Sequence, residues 1–564
     1  MINNYQTLLQ DSFHDLKDDF EELLYLTNYF LSQLNKFSAD LRRIEKSIRR
    51  ETYQMAVKEV KRISKRLEKY KNQITKSCVI LVSHAIGGAH PESEWDAGQA
   101  SMTVLQRTLT KLEEKKKVYF DLIRTQAGII GPLITSLDWQ SPSFLYSQYS
   151  QAGKQTGKIK GTMNDYKRDT HLDEEEFEKA YIREYIDAPF KFGLKALMTS
   201  SGMSAFTTIF NFLLMEGKLA GKILLGKSSY FQYKQLVISA LSTPGESLRA
   251  TPGVLLRPSI IEVDESNTEG IIQSIKNSQP SAIFLDSLCN AKDIPVPDLP
   301  VIINFLVKDY KKDVYLVIDN TGLSITYQPF MLTGSSIAND PRSSIAKLIK
   351  KAGKLHLLLF ESLMKYVHFG LDRVTGGIIV AKGKDAVKLF EYRKHLGTNI
   401  PDDSTYAFPT PNRKMLEKRL KRLGRNASIL AASLQEYIDK HPKCSLKKII
   451  YPALISPRGS PFGHPRGGFR GSFFNLAFKK KNVRLYKRFI ETAIKEAKRQ
   501  KVDLIGGTSF GLNTTRIYLT SLWTKYGEPF VRVSVGTENK LQIEALKKVF
   551  VGTINKMKYF PLSL

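Results

Sequence analysis

From residue 172 onward, short apolar runs alternate with longer segments. The runs are residues 221–225, 259–263, 281–285 and 314–318. Apolar runs separated by segments long enough for a helix are typical of βαβ units on a mainly parallel sheet. The pattern therefore predicts an α/β fold for this part of the chain.

An acidic residue and a lysine follow two of the apolar runs. Asp319 comes directly after residues 314–318, and open α/β sheets bind their ligands at the carboxyl ends of buried strands. Lys365 follows the apolar residues 357–360. Taken alone, Lys365 is more typical of a surface lysine on a turn. With Asp319 upstream, it becomes a candidate nucleophile. Burial away from solvent lowers the pKa of an amine, and the neutral amine can react with a carbonyl group.

Three further features occur in the same part of the chain. Residues 199–205 hold small residues and open an apolar helix, and free N–H groups at a helix N-terminus bind phosphate. Tyr230 follows residues 221–225 and could offer its ring to a flat ligand, although a single tyrosine is more often part of the core. Asp286 and Asn290 bracket the turn after residues 281–285.

A phosphate cradle, an aromatic ring, a carboxylate and an amine thus follow one another along one predicted sheet edge. Together they describe a pocket for pyridoxal 5′-phosphate. In such a pocket the carboxylate keeps the pyridine nitrogen protonated, and the lysine holds the aldehyde as an imine (Schiff base).

Residues 172–564 resemble the Cys/Met-metabolism family of pyridoxal-phosphate enzymes. The family has fold type I and includes cystathionine γ-synthase, cystathionine γ-lyase and methionine γ-lyase. The matching motifs are, in chain order, Tyr181-Ile-Arg183, Ser201-Gly-Met203, Tyr230, Asp286-Ser-Leu-Cys-Asn290, Asp319-Asn-Thr321, Ser362-Leu-Met-Lys365-Tyr and residues 528–538, which include Arg532. Each motif is modest alone, and the ordered set is specific.

The resemblance implies a role for each matching residue. The catalytic residues would be Lys365, Tyr230 and Asp319. The residues implied to bind the cofactor are Ser201, Gly202, Met203, Tyr230, Asn290, Asp319, Ser362 and Lys365 in one subunit, with Tyr181 and Arg183 reaching the phosphate of the neighbouring subunit's cofactor. Arg532 would bind the substrate carboxylate as a bidentate fork. A homodimer or homotetramer with shared active sites follows.

The resemblance implies an enzyme that eliminates or replaces a group at the β or γ carbon of an amino acid, such as a sulfur amino acid lyase or synthase. One alternative is other chemistry on the same scaffold, such as decarboxylation or transamination. A second alternative is a cofactor-binding protein without catalysis, whose basic N-terminal part binds a partner.

The sequence departs from the family at four places. Residues 184–189 stand where the family has Gly-Asn-Pro-Thr after its Tyr-x-Arg motif. Met364 stands where the family has a threonine, and Leu504-Ile-Gly-Gly507 lacks the serine of the family's Ser-Leu-Gly-Gly. An insertion at about residues 327–354 separates Asp319 from Lys365. These departures favour a conserved cofactor site and an altered substrate site.

The chain is expected to divide into four parts. We predict an all-α N-terminal extension (1–140), a linker (141–171), a large cofactor-binding domain (172–412) and a smaller α/β C-terminal domain (413–564). Residues 41–76 form a very basic amphipathic segment, which could bind nucleic acid or a membrane surface. A solvated helix face is the more common explanation for such a segment.

Composition narrows the partners and the compartment. The 85 basic and 55 acidic residues give a net charge of +30, but the excess is lysine scattered along the chain, so nucleic acid is an unlikely partner. The three cysteines lie far apart, which argues against disulfides and a metal site. The sequence shows neither a signal-peptide pattern nor an apolar membrane segment. We therefore expect a cytoplasmic protein.

Overall fold

A computed structural model describes residues 2–45, 49–86, 95–136, 172–188, 191–242, 258–331, 354–455, 468–520 and 528–557. The predicted linker and residues 332–353 of the predicted insertion lie outside these residues. None of the helices within the described ranges is long and apolar enough to cross a membrane.

Three long helices form the N-terminal bundle, which we define as α1 (Ile2–Ile44), α2 (Arg50–Ile86) and α3 (Trp95–Thr135). The basic segment 41–76 includes the last residues of α1 and residues 50–76 of α2. Several apolar positions of α2, among them Ile63 and Leu67, are buried against the other two helices, whereas Met55 and Val79 are exposed. Its lysines and arginines lie mostly on the exposed face, as expected for an amphipathic helix.

The rest of the chain alternates between helices and strands. The elements of the large sheet region are α4 (Leu172–Tyr185), β1 (Leu194–Thr199), α5 (Gly202–Met215), β2 (Lys222–Gly226), α6 (Phe231–Ser242), β3 (Ser259–Val263), α7 (Thr268–Ser278), β4 (Ala282–Asp286), α8 (Leu299–Lys308), β5 (Val314–Asp319), β6 (Leu355–Ser362), β7 (Gly377–Lys382), α9 (Gly383–Leu396) and α10 (Asp402–Thr405).

These strands form one seven-stranded sheet in the order β1-β7-β6-β5-β4-β2-β3. Strands β3, β2, β4, β5 and β6 run parallel, while β7 is antiparallel to both β6 and β1. Every residue of β4 and β5 is buried, because helices cover both faces of a parallel sheet. The predicted mainly parallel sheet and the α/β class are confirmed.

A second sheet lies in the C-terminal part. Its elements are α11 (Arg413–Lys440), β8 (Leu446–Ile450), α12 (Pro452–Ile455), β9 (Phe473–Phe478), α13 (Val483–Gln500), β10 (Ile505–Gly506), β11 (Arg516–Thr520), β12 (Phe530–Ser534) and α14 (Lys540–Lys556). The strand order is β10-β11-β12-β9-β8. Apolar side chains of α11, α13 and α14 form a separate core against this sheet.

The N-terminal bundle is joined to α11 by ion pairs that are largely buried. Arg425 of α11 binds Asp15 of α1 at 2.7 Å, Arg419 binds Glu22 at 2.7 Å, and Arg422 binds both Asp15 and Asp19. Because buried charges are retained only when they are paired, this complementarity fixes how α1 lies on α11.

Candidate active site

The carboxyl ends of neighbouring strands bring the acidic candidates together. Asp286 ends β4 and Asp319 ends β5, and the two residues are paired in the sheet register. Burial raises the pKa of Asp319 to about 6, although hydrogen bonds from Thr321 and the charge of Lys365 oppose this shift. Burial also raises the pKa of Asp286, and the nearby charge of Asp319 adds to the effect. The two strand ends thus form an acidic, desolvated edge.

Lys365 lies three residues beyond the end of β6, at this edge. Its amine donates a hydrogen bond to Oγ of Ser509 at 3.0 Å and lies 5.4 Å from the ring centre of Phe510. Burial lowers the pKa of Lys365, Asp372 and Asp319 act in the opposite direction, and Arg516 adds to the lowering. A lowered pKa increases the fraction of neutral, nucleophilic amine at a given pH.

The N-terminus of α5 lies against Ser362. Ser201 caps the helix, since its Oγ accepts from the N–H of Ser204 at 3.0 Å. The N–H groups of Gly202 and Met203 belong to the first turn and have no acceptor within the helix. A Cβ added at Gly202 would lie 2.8 Å from Cβ of Ser362, so only glycine allows this approach. Helix N–H groups and serine hydroxyls here suit a phosphate group.

Hydrogen bonds connect this cradle to the acidic edge. The N–H of Thr321 donates to Asp319 at 2.9 Å, and Oγ1 of Thr321 accepts from the N–H of Ser362 at 2.9 Å. The phosphate cradle, Asp319 and the turn that carries Lys365 therefore belong to one connected site. These groups fit pyridoxal phosphate, which needs an anion site, a buried carboxylate and an amine.

Tyr230 lies beside Asp286. Its N–H donates to Asp286 at 3.0 Å, and its hydroxyl donates to Gln232 at 2.8 Å. Burial raises the pKa of Tyr230 to about 12, with smaller contributions from Asp319 and Tyr518. The half-buried ring is thus close to the acidic edge.

Asn290 and the buried Arg532 form a hydrogen-bonded pair. The guanidinium of Arg532 donates to Asn290, and its Nε donates to Asn475 at 3.1 Å. Its Cζ lies 4.1 Å from the ring centre of Phe473, and its side chain is fully buried. Stacking and hydrogen bonds hold the guanidinium plane in one orientation. In this structure the donors of Arg532 are directed at protein groups.

Tyr181 and Arg183 form no hydrogen bond with the other candidate residues in the described part of the chain. Tyr181 is buried, and its hydroxyl donates to Glu361 at 2.7 Å within the same chain. Arg183 pairs with the adjacent Glu184 at 2.9 Å and is largely exposed. Arg183 also lines a cavity of about 210 Å³ between α1, α4 and residues 405–410. Their predicted role at a neighbouring subunit stays a prediction.

Sequence reasoning did not find Ser509, the hydrogen-bond partner of Lys365. Ser509 has φ of 77°, and Arg516 holds the preceding residue by donating to the carbonyl oxygen of Thr508 at 2.9 Å. The glycines of this segment were the available signal, because Gly511 lies so close to the Lys365 carbonyl that a Cβ would collide. Arg516 was missed as well.

Comparison with known proteins supports the fold. No protein-family model matches the chain. The bifunctional enzyme flvA of Aspergillus flavus is 22% identical over 380 residues, which are 66% of this chain. The match spans only 40% of that relative's length.

The solved structures that resemble the chain have the fold type I architecture of the Cys/Met-metabolism enzymes. One is cystathionine γ-synthase from Xanthomonas oryzae pv. oryzae in complex with aminoacrylate and cysteine, at 17% identity and a TM-score of 0.50, covering 71% of this chain and 90% of that one. Another is cystathionine γ-lyase from Lactobacillus plantarum complexed with L-serine, at 17% identity and a TM-score of 0.49, covering 71% and 91%. At 17% identity the likeness to the Xanthomonas oryzae enzyme shows the fold alone, and the predicted fold type I is confirmed.

Proposed function

We propose that the protein is a pyridoxal-phosphate-dependent enzyme that acts on an amino acid by elimination or replacement at its β or γ carbon. The observation that carries this proposal is the connected site at the sheet edge. There the desolvated amine of Lys365, the buried carboxylate of Asp319 and the N-terminus of α5 lie together. The fold shared with cystathionine γ-synthase supports the same class of substrate.

Pyridoxal phosphate supplies an electron sink for carbanions formed at an amino acid. In this chain, Gly202, Met203 and Ser362 would bind its phosphate. The carboxylate of Asp319 would hold a proton at the ring nitrogen through its charge. The amine of Lys365 would anchor the cofactor and, once released by substrate, move the proton of the α carbon.

The remaining candidates would orient the ring and the substrate. Tyr230 would cover one face of the ring or assist proton transfer. Arg532, held by Asn290 and Asn475, would bind the α-carboxylate after its donors turn towards it.

A panel of amino acids would test the reaction. Purified protein with pyridoxal phosphate is incubated with amino acids that carry a leaving group at the β or γ carbon, with and without a thiol. We expect release of an α-keto acid and ammonia, or formation of a thioether when the thiol is present. Release of CO₂, or amino transfer to a keto acid, would instead identify the alternative chemistries.

We also propose that the protein is a cytoplasmic homodimer or homotetramer in which Arg183 reaches the neighbouring subunit's phosphate. Its exposed side chain supports this role, whereas Tyr181 would first have to leave Glu361. We expect sedimentation at working concentration to give the mass of two or four chains. A monomer that is fully active would contradict the shared site.

Replacing Asp319 by asparagine should lower activity and raise stability. The pKa of Asp319 is about 6 in the folded chain and about 3.9 when unfolded. The contribution of this carboxyl group to the free energy of unfolding is therefore complete below pH 4 and is lost as the pH rises through 6. At pH 8 the buried charge lowers the free energy of unfolding by up to about 3 kcal/mol, compared with the protonated group. Thermal unfolding without cofactor should show Asp319→Asn to be more stable than wild type at pH 8.

The same variant should lose about 10²-fold in turnover, as expected for one lost electrostatic group in an active site. Asp313→Asn is the matched control, because Asp313 is exposed just before the same strand. A variant with unchanged turnover would remove Asp319 from the proposed mechanism.

A further inference from the structure

The loop that follows Lys365 has an unusual backbone. Phe369 and Asp372 have φ of 53° and 48°, and Gly370 between them has φ of 78°. Residues other than glycine rarely adopt this left-handed conformation, and they keep it only where surrounding groups hold them. The holding groups are therefore part of what shapes the site.

Helix α3 of the N-terminal bundle supplies one set of these groups. Nε of Arg124 donates to the carbonyl oxygen of Leu371 at 2.7 Å, and its Nη2 donates to that of Asp372 at 3.4 Å. In return, Nε of Arg373 donates to the carbonyl oxygen of Arg124 at 3.0 Å. The loop and α3 are thus joined in both directions.

Helix α1 supplies a second set. The ring of Tyr25 meets the ring of Phe369 edge to face, with 5.3 Å between centroids. Glu22 binds Arg419 at 2.7 Å, and Nη2 of Arg419 donates to the carbonyl oxygen of Gly511 at 2.9 Å. Gly511 is the residue that lies against the Lys365 backbone. The N-terminal bundle therefore contacts the loop after Lys365 through both α3 and α1.

We propose that the N-terminal bundle is a working part of the candidate active site, and that Arg124 is a positioning residue which holds the backbone at Leu371 and Asp372 and thereby keeps the amine of Lys365 in its desolvated place. The proposal rests on the role proposed for Lys365. It assigns the bundle a function that its basic surface does not suggest.

The charged groups that face Lys365, together with its burial, determine how its pKa changes when the hydrogen bonds of Arg124 are lost. Asp319 and Asp372 favour the charged amine, Arg516 disfavours it, and burial is the largest effect. If the loop relaxes, water reaches the amine and the effect of burial decreases. The pKa of Lys365 then rises towards its ordinary value.

The test is the pH dependence of reductive methylation at Lys365 in the full-length, cofactor-free protein, read by peptide mass spectrometry. Arg124→Ala should raise the apparent pKa by about one unit, a tenfold lower labelling rate at neutral pH. Arg124→Lys keeps one donor group, so the apparent pKa of Lys365 in this variant should lie between those of wild type and Arg124→Ala. Arg107→Ala, an exposed arginine on the same helix, should behave as wild type.

Hydrogen exchange separates positioning from general destabilisation. We expect faster exchange in Arg124→Ala confined to residues 366–373, with unchanged exchange in the seven-stranded sheet. If Arg124→Ala does not fold, Arg124→Lys and Tyr25→Leu decide by the same two readouts. A folded Arg124→Ala protein with the labelling and exchange of wild type would overturn the proposal. An equal shift in the apparent pKa of Lys365 in Arg107→Ala would overturn it as well.

The outcome is independent of the cofactor. A protein that never binds pyridoxal phosphate would contradict the proposed function, while the labelling of Lys365 would still report whether the bundle holds the loop.

Discussion

Lys365→Ala should abolish both the visible absorption that wild type shows with pyridoxal phosphate and the turnover of amino acids. The amine of Lys365 donates a hydrogen bond to Ser509 and lies close enough to Asp319 for their charges to interact. Losing the group that anchors the cofactor and moves the proton should lower the rate by at least about 10³-fold, or about 4 kcal/mol of transition-state stabilisation. Absorption spectra and initial rates measure the two effects.

Lys384→Ala is the matched control, because it removes an exposed lysine at the start of α9. It should keep the spectrum and the rate. Thermal unfolding of cofactor-free Lys365→Ala should stay close to wild type, since the substitution removes a buried amine without breaking an ion pair. A Lys365→Ala protein that keeps the visible band would transfer the role to another amine.

The local pattern of the sequence was sufficient to predict the sheet edge. Strand β5 is apolar up to Asp319, so its burial and the position of its carboxylate follow from the same six residues. The predicted run 259–263 coincides with β3. The runs 221–225 and 281–285 begin and end one residue earlier than β2 and β4. The parallel-sheet rules then placed Asp286 and Asp319 at the same edge of the sheet, and the structure shows that they are neighbours there.

Contacts between distant residues could not be predicted in this way. Ser509 lies 144 positions from Lys365, and Glu22 lies 397 positions from Arg419. Local periodicity contains no information about either pair.

A buried charge cluster holds the strand that leads into the cradle. Arg393 of α9 binds Glu174 and Glu178 of α4, and it donates to the carbonyl oxygen of Met198 in β1 at 3.0 Å. Glu178 also accepts from the N–H of Met198 at 2.7 Å. Burial raises the pKa of both glutamates, and Arg393 opposes the rise. The cluster therefore fixes α4 and β1 just before the N-terminus of α5.

Arg393→Met should be the most destabilising single substitution proposed here. It leaves two buried carboxyl groups without their cation, and breaking a buried ion pair in this way costs about 3–5 kcal/mol. Denaturant unfolding at pH 7 measures the loss. Lys388→Met on the same helix is the control, since its ion pairs with Glu216 and Glu391 are exposed and should contribute at most about 1 kcal/mol.

The pH dependence of stability shows whether the charges of Glu174 and Glu178 stabilise or destabilise the folded chain. Burial raises the pKa of Glu174 in the folded chain, so the contribution of this carboxyl group to stability is complete below its pKa in the unfolded chain and is lost as the pH rises through the raised pKa. Without Arg393 both carboxyl groups bind protons more tightly, and the loss of stability between pH 6 and 8 should be steeper than in wild type. Adding Glu174→Gln and Glu178→Gln to Arg393→Met should remove this slope, because no buried charge then remains. A slope that persists in the triple variant would mean that other groups set the pH dependence of α4.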